Sequence, residues 1–261
     1  MMRTERVRAL VFTGAGTTRT VAERFVAATG LAGEVIDITP QASGVPALGP
    51  GDLAVIAVPS FGGRVPAPAA AKLSQLPEAP GVPAVLLVTY GNRAVDDTFI
   101  ELADIVRDRG LLPVAGAAVV AHHSLMVDVA IGRPDAEDLS VVDALARDTV
   151  ARLAKAASAG EAALAEVPGS RPYRAYGGVA FHAAADPGRC IACGACAELC
   201  PTGAIDPAAP AVTDTARCVT CLRCVAVCPA GARAVDGGEE LVRARAAFAE
   251  RLAPRQPSYT L

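Results

Sequence analysis

Four apolar runs in the first 121 residues lack the in–out alternation of a half-exposed strand: RVRALVF (6–12), DLAVIAVP (52–59), PAVLLVTY (83–90) and LLPVAGAAVVA (111–121). Continuous runs of this length predict strands covered on both faces, as in a parallel sheet. GEVIDI (33–38) reads as a fifth strand. Helical spacing falls between the runs. Val21, Phe25 and Ala28 share a face in 18–30 and Gly30 marks its stop; a second helix is expected near 67–76. Phe99, Leu102, Ile105 and Val106 share a face in 97–109, and 135–157 forms the last helix of the series. The alternation predicts an α/β, doubly wound, five-stranded parallel sheet over residues 1–157. Ligands of such sheets sit outside the carboxyl ends of the strands, which directs attention to the loops after strands one, three and four.

The periodicity fades after residue 157. Residues 158–184 are rich in glycine and proline and read as a linker, 185–237 hold every cysteine of the chain, and 238–252 bring Leu241, Phe248 and Leu252 onto one helical face within a segment 238–261. That helix could dock on the first domain or pack on the second.

Charge adds mostly exclusions. Residues 1–160 carry 14 basic and 17 acidic side chains and residues 161–261 carry 10 of each, so neither half offers a nucleic-acid surface. No apolar run approaches the roughly 18–20 residues of a membrane span. The first ten residues, MMRTERVRAL, carry charge without the apolar stretch of a signal peptide, so a cytoplasmic location is expected.

The loop after strand one, TGAGTTRT, contains Thr13, Gly14, Ala15, Gly16, Thr17 and Thr18. Small residues let backbone N–H groups close on an anion, and the following helix directs its N-terminal partial charge to the same place. A phosphate monoester suits it. A dinucleotide fingerprint is the rival reading, with Asp37 at the end of strand two, but Arg19 replaces the third glycine. A capped turn without ligand is the other. The loop after strand three supplies Ser60, Phe61, Gly62 and Gly63, and that after strand four supplies Tyr90, Gly91, Asn92 and Arg93. Two aromatics flanked by glycines at one sheet edge could enclose a planar ring. For Arg64 and Arg93, and for the pair His122 and His123 past strand five, an incidental surface role weighs at least as much.

These loops carry a resemblance. Residues 6–157 look like a flavodoxin, and Thr13, Gly16 and Thr18 match the family's T-x-T-G-x-T phosphate loop, with Ala15 standing where a second hydroxyl is usual. SFGGRVP and YGNRAVDD resemble the flavin-contacting loops of a bacterial group in which a flavodoxin domain is fused to a ferredoxin. The resemblance implies bound FMN held by the fourteen residues just named in the three loops.

The eight cysteines fall in two blocks, C-x2-C-x2-C-x3-C-P, offset by 28 residues. Iron–sulfur chemistry uses this run, with the fourth cysteine of each block serving the other cluster. One cluster then takes Cys190, Cys193, Cys196 and Cys228, and the other takes Cys218, Cys221, Cys224 and Cys200. Zinc sites pair two C-x2-C units without the third cysteine, and disulfides belong to secreted chains. The block resembles the bacterial two-cluster ferredoxins, which implies a small α+β domain with two [4Fe-4S] clusters. Ile191, Val219 and Ala204 are expected to pack over them.

An electron-transfer protein is the function expected, passing electrons between FMN, two clusters and an unknown redox partner protein. One alternative is a flavin-dependent reductase of a small substrate fed by its own clusters, with His122, His123 or Tyr90 as proton donor. Another is a redox- or iron-sensing interaction module. No residue is identified as catalytic from the sequence.

Overall fold

The strands that read as continuous apolar runs are the buried ones. The computed structural model describes residues 2–235 and 237–261. Strand β1 (Arg6–Val11) lies between β2 (Ala32–Asp37) and β3 (Asp52–Pro59), followed by β4 (Pro83–Tyr90) and β5 (Leu112–Val120), all parallel in the order 2-1-3-4-5. That order, with its switch between β1 and β3, is the flavodoxin-like doubly wound arrangement. Every residue of β4 is buried, whereas the edge strand β2 exposes its first half, as its Gly33 and Glu34 allow.

Helix α1 (Thr17–Thr29) and α4 (Ala136–Lys155) cover one face, packing Val21, Phe25, Val142, Leu145 and Leu153 against β1, β3, β4 and β5. Helices α2 (Ala67–Leu73) and α3 (Thr98–Arg107) cover the other through Leu73, Phe99, Leu102 and Val106. Asp135 caps α4 by accepting from the N–H groups of Glu137 and Asp138, while the Asp138 carboxylate accepts from the Asp135 N–H at 2.9 Å, the reciprocal bonding of a capping box.

Two features depart from the pattern read along the chain. The sheet has a sixth strand: β8 (Tyr259–Thr260) adds antiparallel to β5, and the Leu261 N–H donates to Gly116 at 2.8 Å. The segment expected to be a linker lies along the first domain. Asp97 accepts from the N–H groups of Ser170 and Arg174 at 2.8 and 2.7 Å, Asp104 pairs with Arg171 and accepts from the Tyr173 hydroxyl, and Ala159, Ala162 and Val167 are buried. It is a strap, with little of a free tether about it. Between strap and β8 stands the cysteine domain, where β6 (Ala183–Ala185) pairs antiparallel with β7 (Arg233–Val235) around two short helices, α5 (Ala195–Glu198) and α6 (Arg223–Ala226).

Helix α7 (Gly238–Arg251) settles the question of what the last helix packs on, because it packs on both domains. Leu241, Phe248 and Leu252 share a cluster with Leu125, Met126 and Val129 of the loop after β5 and with Leu222 and Val225 of the cysteine domain. No helix among the described residues is long and apolar enough to cross a membrane.

Candidate cofactor sites

Two neighbouring cavities open at the carboxyl ends of β1, β3, β4 and β5. The smaller, about 80 Å³, is lined by Gly14, Ala15, Thr17 and Thr18 of the first loop and by Ser60, Phe61, Tyr90 and Gly91. The larger, about 450 Å³, shares Ser60, Phe61 and Gly91 with it and adds Gly62, Gly63, Arg93, Tyr176 and Phe248.

The first loop is shaped from within. The Thr13 hydroxyl accepts from the Gly16 N–H at 3.1 Å, and the Thr18 hydroxyl is buried against that of Thr89 at 2.8 Å. Gly16 has φ 102°, a left-handed conformation that glycine adopts without strain. It caps α1 without a side-chain acceptor, and the first turn carries no acid, so the leading N–H groups of the helix lack intrahelical acceptors. That is a fit for an anion. In the second loop Gly62 and Gly63, both left-handed, make the two-residue turn between Phe61 and Arg64, whose backbones exchange hydrogen bonds at 2.9 and 3.1 Å.

The third loop divides. Gly91 lies against His123, and Arg93 is ion-paired with Asp96 at the larger cavity. Asn92, 4% exposed, is turned into residues 252–256, donating to the carbonyls of Leu252 and Pro254 and accepting from the Gln256 N–H at 3.0 Å. Its amide is therefore spent on the returning tail. Tyr90 lines the smaller cavity, but its hydroxyl donates to the Pro257 carbonyl at 2.7 Å, and burial pushes the phenol up to about 12. Among the proton-donor candidates, Tyr90 and His122, whose Nε2 lies 2.7 Å from the Val127 carbonyl, are engaged elsewhere. His123 is different. Its Nδ1 accepts from the Met126 N–H at 3.2 Å, which leaves the proton on Nε2, and the residue lines both cavities. Burial, then His122 and Arg93, push it down to about 4. Arg64 is structural, forked onto Glu101 at 2.7 and 2.8 Å and stacked over Tyr173.

The cysteines surround two further cavities. One is lined by Cys200, Cys218, Cys221 and Cys224 together with Val219 and Ala204. The other is lined by Cys190, Cys193, Cys196 and Cys228 together with Ile191. The fourth cysteine of each block thus stands with the first three of the other. Among the described residues no three His, Cys, Asp or Glu side chains converge as a single ion requires; the thiols stand around a space. Backbone N–H groups reach the crossing sulfurs, Ala204 to Cys200 and Ala232 to Cys228, each at 3.3 Å. Burial pushes the Cys221 thiol up to about 12. Cys228 moves the other way, because N–H groups of Ala230, Ala232 and Arg233 outweigh its burial.

The domains meet where these sites adjoin. Cys221 lines the smaller cavity with the first loop, and a Cβ added to Gly14 would lie 1.9 Å from the Cys221 carbonyl oxygen. Arg223 is paired with Asp37 at 2.6 Å, which gives the acidic residue of the dinucleotide reading a different partner. The Gln41 N–H donates to the Cys200 carbonyl at 3.2 Å.

Residues 189–232 match the 4Fe-4S dicluster domain. No curated protein matches the chain. Among solved structures it is similar to a flavodoxin from the domain Archaea (15% identity, TM-score 0.38, covering 57% of this chain and 99% of that one). It is similar also to a flavodoxin of Streptococcus pneumoniae TIGR4 (16%, 0.40, 56% and 98%) and to a mutant flavodoxin of Pseudomonas aeruginosa (18%, 0.38, 57% and 99%). The strand order, established above, carries the fold; the dicluster match supports a redox role for the chain.

Proposed function

We propose that this chain is an electron-transfer protein in which FMN occupies the joined cavities at the sheet edge and two [4Fe-4S] clusters occupy the cysteine cavities. When bound, the flavin supplies a two-electron site and each cluster a one-electron site. The chain's own part is to hold them in order. The N-terminus of α1 with Gly14, Ala15, Gly16 and Thr17 receives the phosphate, and the wider cavity between Phe61, Gly62, Tyr176 and Phe248 receives the ring.

The observation that carries this reading is the position of Cys221, a ligand candidate that also walls the cavity of the phosphate loop. The cavity of Cys218, Cys221, Cys224 and Cys200 is the inner one. The outer one ends at the solvent-exposed Cys193 and at Ile191, which is 66% exposed, a suitable place for an external redox protein to approach. The docked strap and α7 hold the two domains in this arrangement, so transfer needs no search by a loose tether.

Anaerobic reconstitution followed by iron, sulfide and flavin analysis tests the content, with about eight irons and one FMN expected. Stopped-flow absorbance then tests the route. Flavin bleaching after rapid cluster reduction is expected at a rate independent of protein concentration; a rate proportional to concentration would place transfer between molecules and sink the conduit. The reductase reading keeps one specific support: His123, with its Nδ1 occupied by the Met126 N–H, lines both cavities.

A further inference from the structure

Arg233, on β7, is 3% exposed. Buried guanidinium groups normally meet a carboxylate, as Arg133 meets Asp138 in this molecule. Arg233 does not. Its Nη1 donates to the Thr213 hydroxyl at 2.9 Å and its Nη2 to the Pro210 carbonyl, both neutral, and its Nε is buried without a partner. Among the described residues no acid pairs with it. An uncompensated buried cation is strongly destabilising, so its survival here calls for an anion that the described residues do not provide.

The surroundings say where that anion sits. Arg233 lines the outer cysteine cavity. At the 28-residue offset the equivalent position in the first block is Ile205, equally buried and uncharged. The fold therefore does not need an arginine there.

We propose that Arg233 is a built-in counter-charge to a cluster held in the outer cysteine cavity, placed there to favour its reduced, more negative state. The inference rests on the cluster reading above and concerns how the clusters are tuned. A positive charge in a low-dielectric site acts on its neighbours far more strongly than one in water. Burial and charge near the sulfurs are recognised levers on cluster potential.

The test compares Arg233→Met, Arg233→Ile and Arg233→Lys with the wild type. Iron per chain is measured first; a wild type without iron would refute the cluster reading and leave nothing for this one to act on. Dithionite titration followed by electron paramagnetic resonance should show the Met and Ile variants harder to reduce. At a fixed potential the reduced-to-oxidised ratio should fall at least tenfold, about 59 mV for a one-electron couple, while the Lys variant stays close to wild type. A second readout uses the metal-free protein. Removing an unpaired buried charge should leave the Met apoprotein as heat-stable as the wild type or more so, yet lower the stability of the loaded protein. Unchanged midpoints in the Met variant overturn the proposal, as does a Lys variant that shifts as far as Met. Should the Met variant fail to load iron, loading by the Lys variant still supports the counter-charge. Failure of both assigns Arg233 to hydrogen bonding with Thr213, Pro210 and Ala183 and overturns it.

Discussion

Laid over each other at an offset of 28 residues, the two cysteine blocks share most of their backbone and little of their surroundings. Cys190 and Cys218 each donate an N–H to the carbonyl of an aspartate four residues back, and Ala192 and Thr220 are both left-handed. The outer block then faces solvent: Cys193 is exposed and Gly194 has open space around it. The inner block faces the other domain: Cys221 meets Gly14, Leu222 enters an interdomain cluster, and Arg223 reaches Asp37. A duplicated loop has become asymmetric only where its neighbours differ. What its spacing encodes is a pair of sites; what its non-cysteine residues encode is which site looks inward.

The largest effect should come from removing equivalent sulfurs. Cys221→Ala and Cys193→Ala each delete one sulfur from a four-cysteine cavity, and about four irons should be lost by either. Their consequences for the flavin should differ. The inner variant should lose flavin reduction by the protein's own clusters altogether. The outer one should keep it when a small reductant such as dithionite replaces the protein partner. Equal loss in both would abolish the inner and outer distinction, and retention of about eight irons would remove these residues from the ligand sets.

Next comes the contact between the domains. Gly14→Val puts a side chain into the Cys221 carbonyl, and overpacking of this kind costs about 1–3 kcal/mol, enough to shift a docking equilibrium from about fivefold to over a hundredfold. Gly16→Val acts on the loop's own shape, since φ 102° strains any residue with a Cβ while nothing stands within 4 Å of it. The expected outcomes therefore separate. Gly16→Val should abolish FMN binding by fluorescence titration with cluster absorbance intact. Gly14→Val should slow flavin reduction by clusters more than it weakens FMN binding. If Gly14→Val reduced flavin at the wild-type rate, the contact at Cys221 would play no part in transfer.

How far this could be read along the chain depended on whether a signal was local. Strands β1, β3, β4 and β5 declare themselves by continuous apolar runs, and the cysteine spacing declares both cavities, because each needs only neighbours in sequence. The diversion of Asn92 and Tyr90 to the tail does not, since their partners lie at residues 252–257 and offer backbone carbonyls, which any sequence would offer. The strap escapes for a similar reason. Glycine and proline mark it as irregular, and only Asp96, Asp97 and Asp104 on the far side show that irregular need not mean loose. His123 and Tyr176 reach the cavities from segments that carry no pattern of their own. Arg233 was visible all along as a break in the repeat, opposite Ile205, but a charge in a cysteine-rich loop has meaning only once its burial is known.

The smallest effect sharpens the comparison most. Leu222 holds φ 60° at the position where the first block has Gly194. A left-handed residue with a side chain costs about 1–2 kcal/mol. Here the leucine is buried against Leu125, Met126, Val129 and Leu241, and burying such a side chain returns about 1.5–3 kcal/mol. The two nearly balance, which gives an unusual ordering. Leu222→Ala loses the packing and keeps the strain, whereas Leu222→Gly loses the packing and sheds the strain. Glycine should therefore be the milder change by about 1 kcal/mol, reversing the usual order in which glycine is about 0.5–1 kcal/mol worse than alanine. Gly194→Leu supplies the control: its side chain would enter open space, gain no burial, and carry the strain uncompensated. Anaerobic thermal midpoints of the loaded proteins, taken at one scan rate, should rank wild type first, then Leu222→Gly, then Leu222→Ala, with Gly194→Leu below wild type as well. An alanine variant more stable than the glycine one would mean that residue 222 leaves the left-handed region once its leucine is gone. The interdomain cluster would then be what holds the inner loop in its shape, and the strain would be a consequence of docking that the repeat itself does not impose.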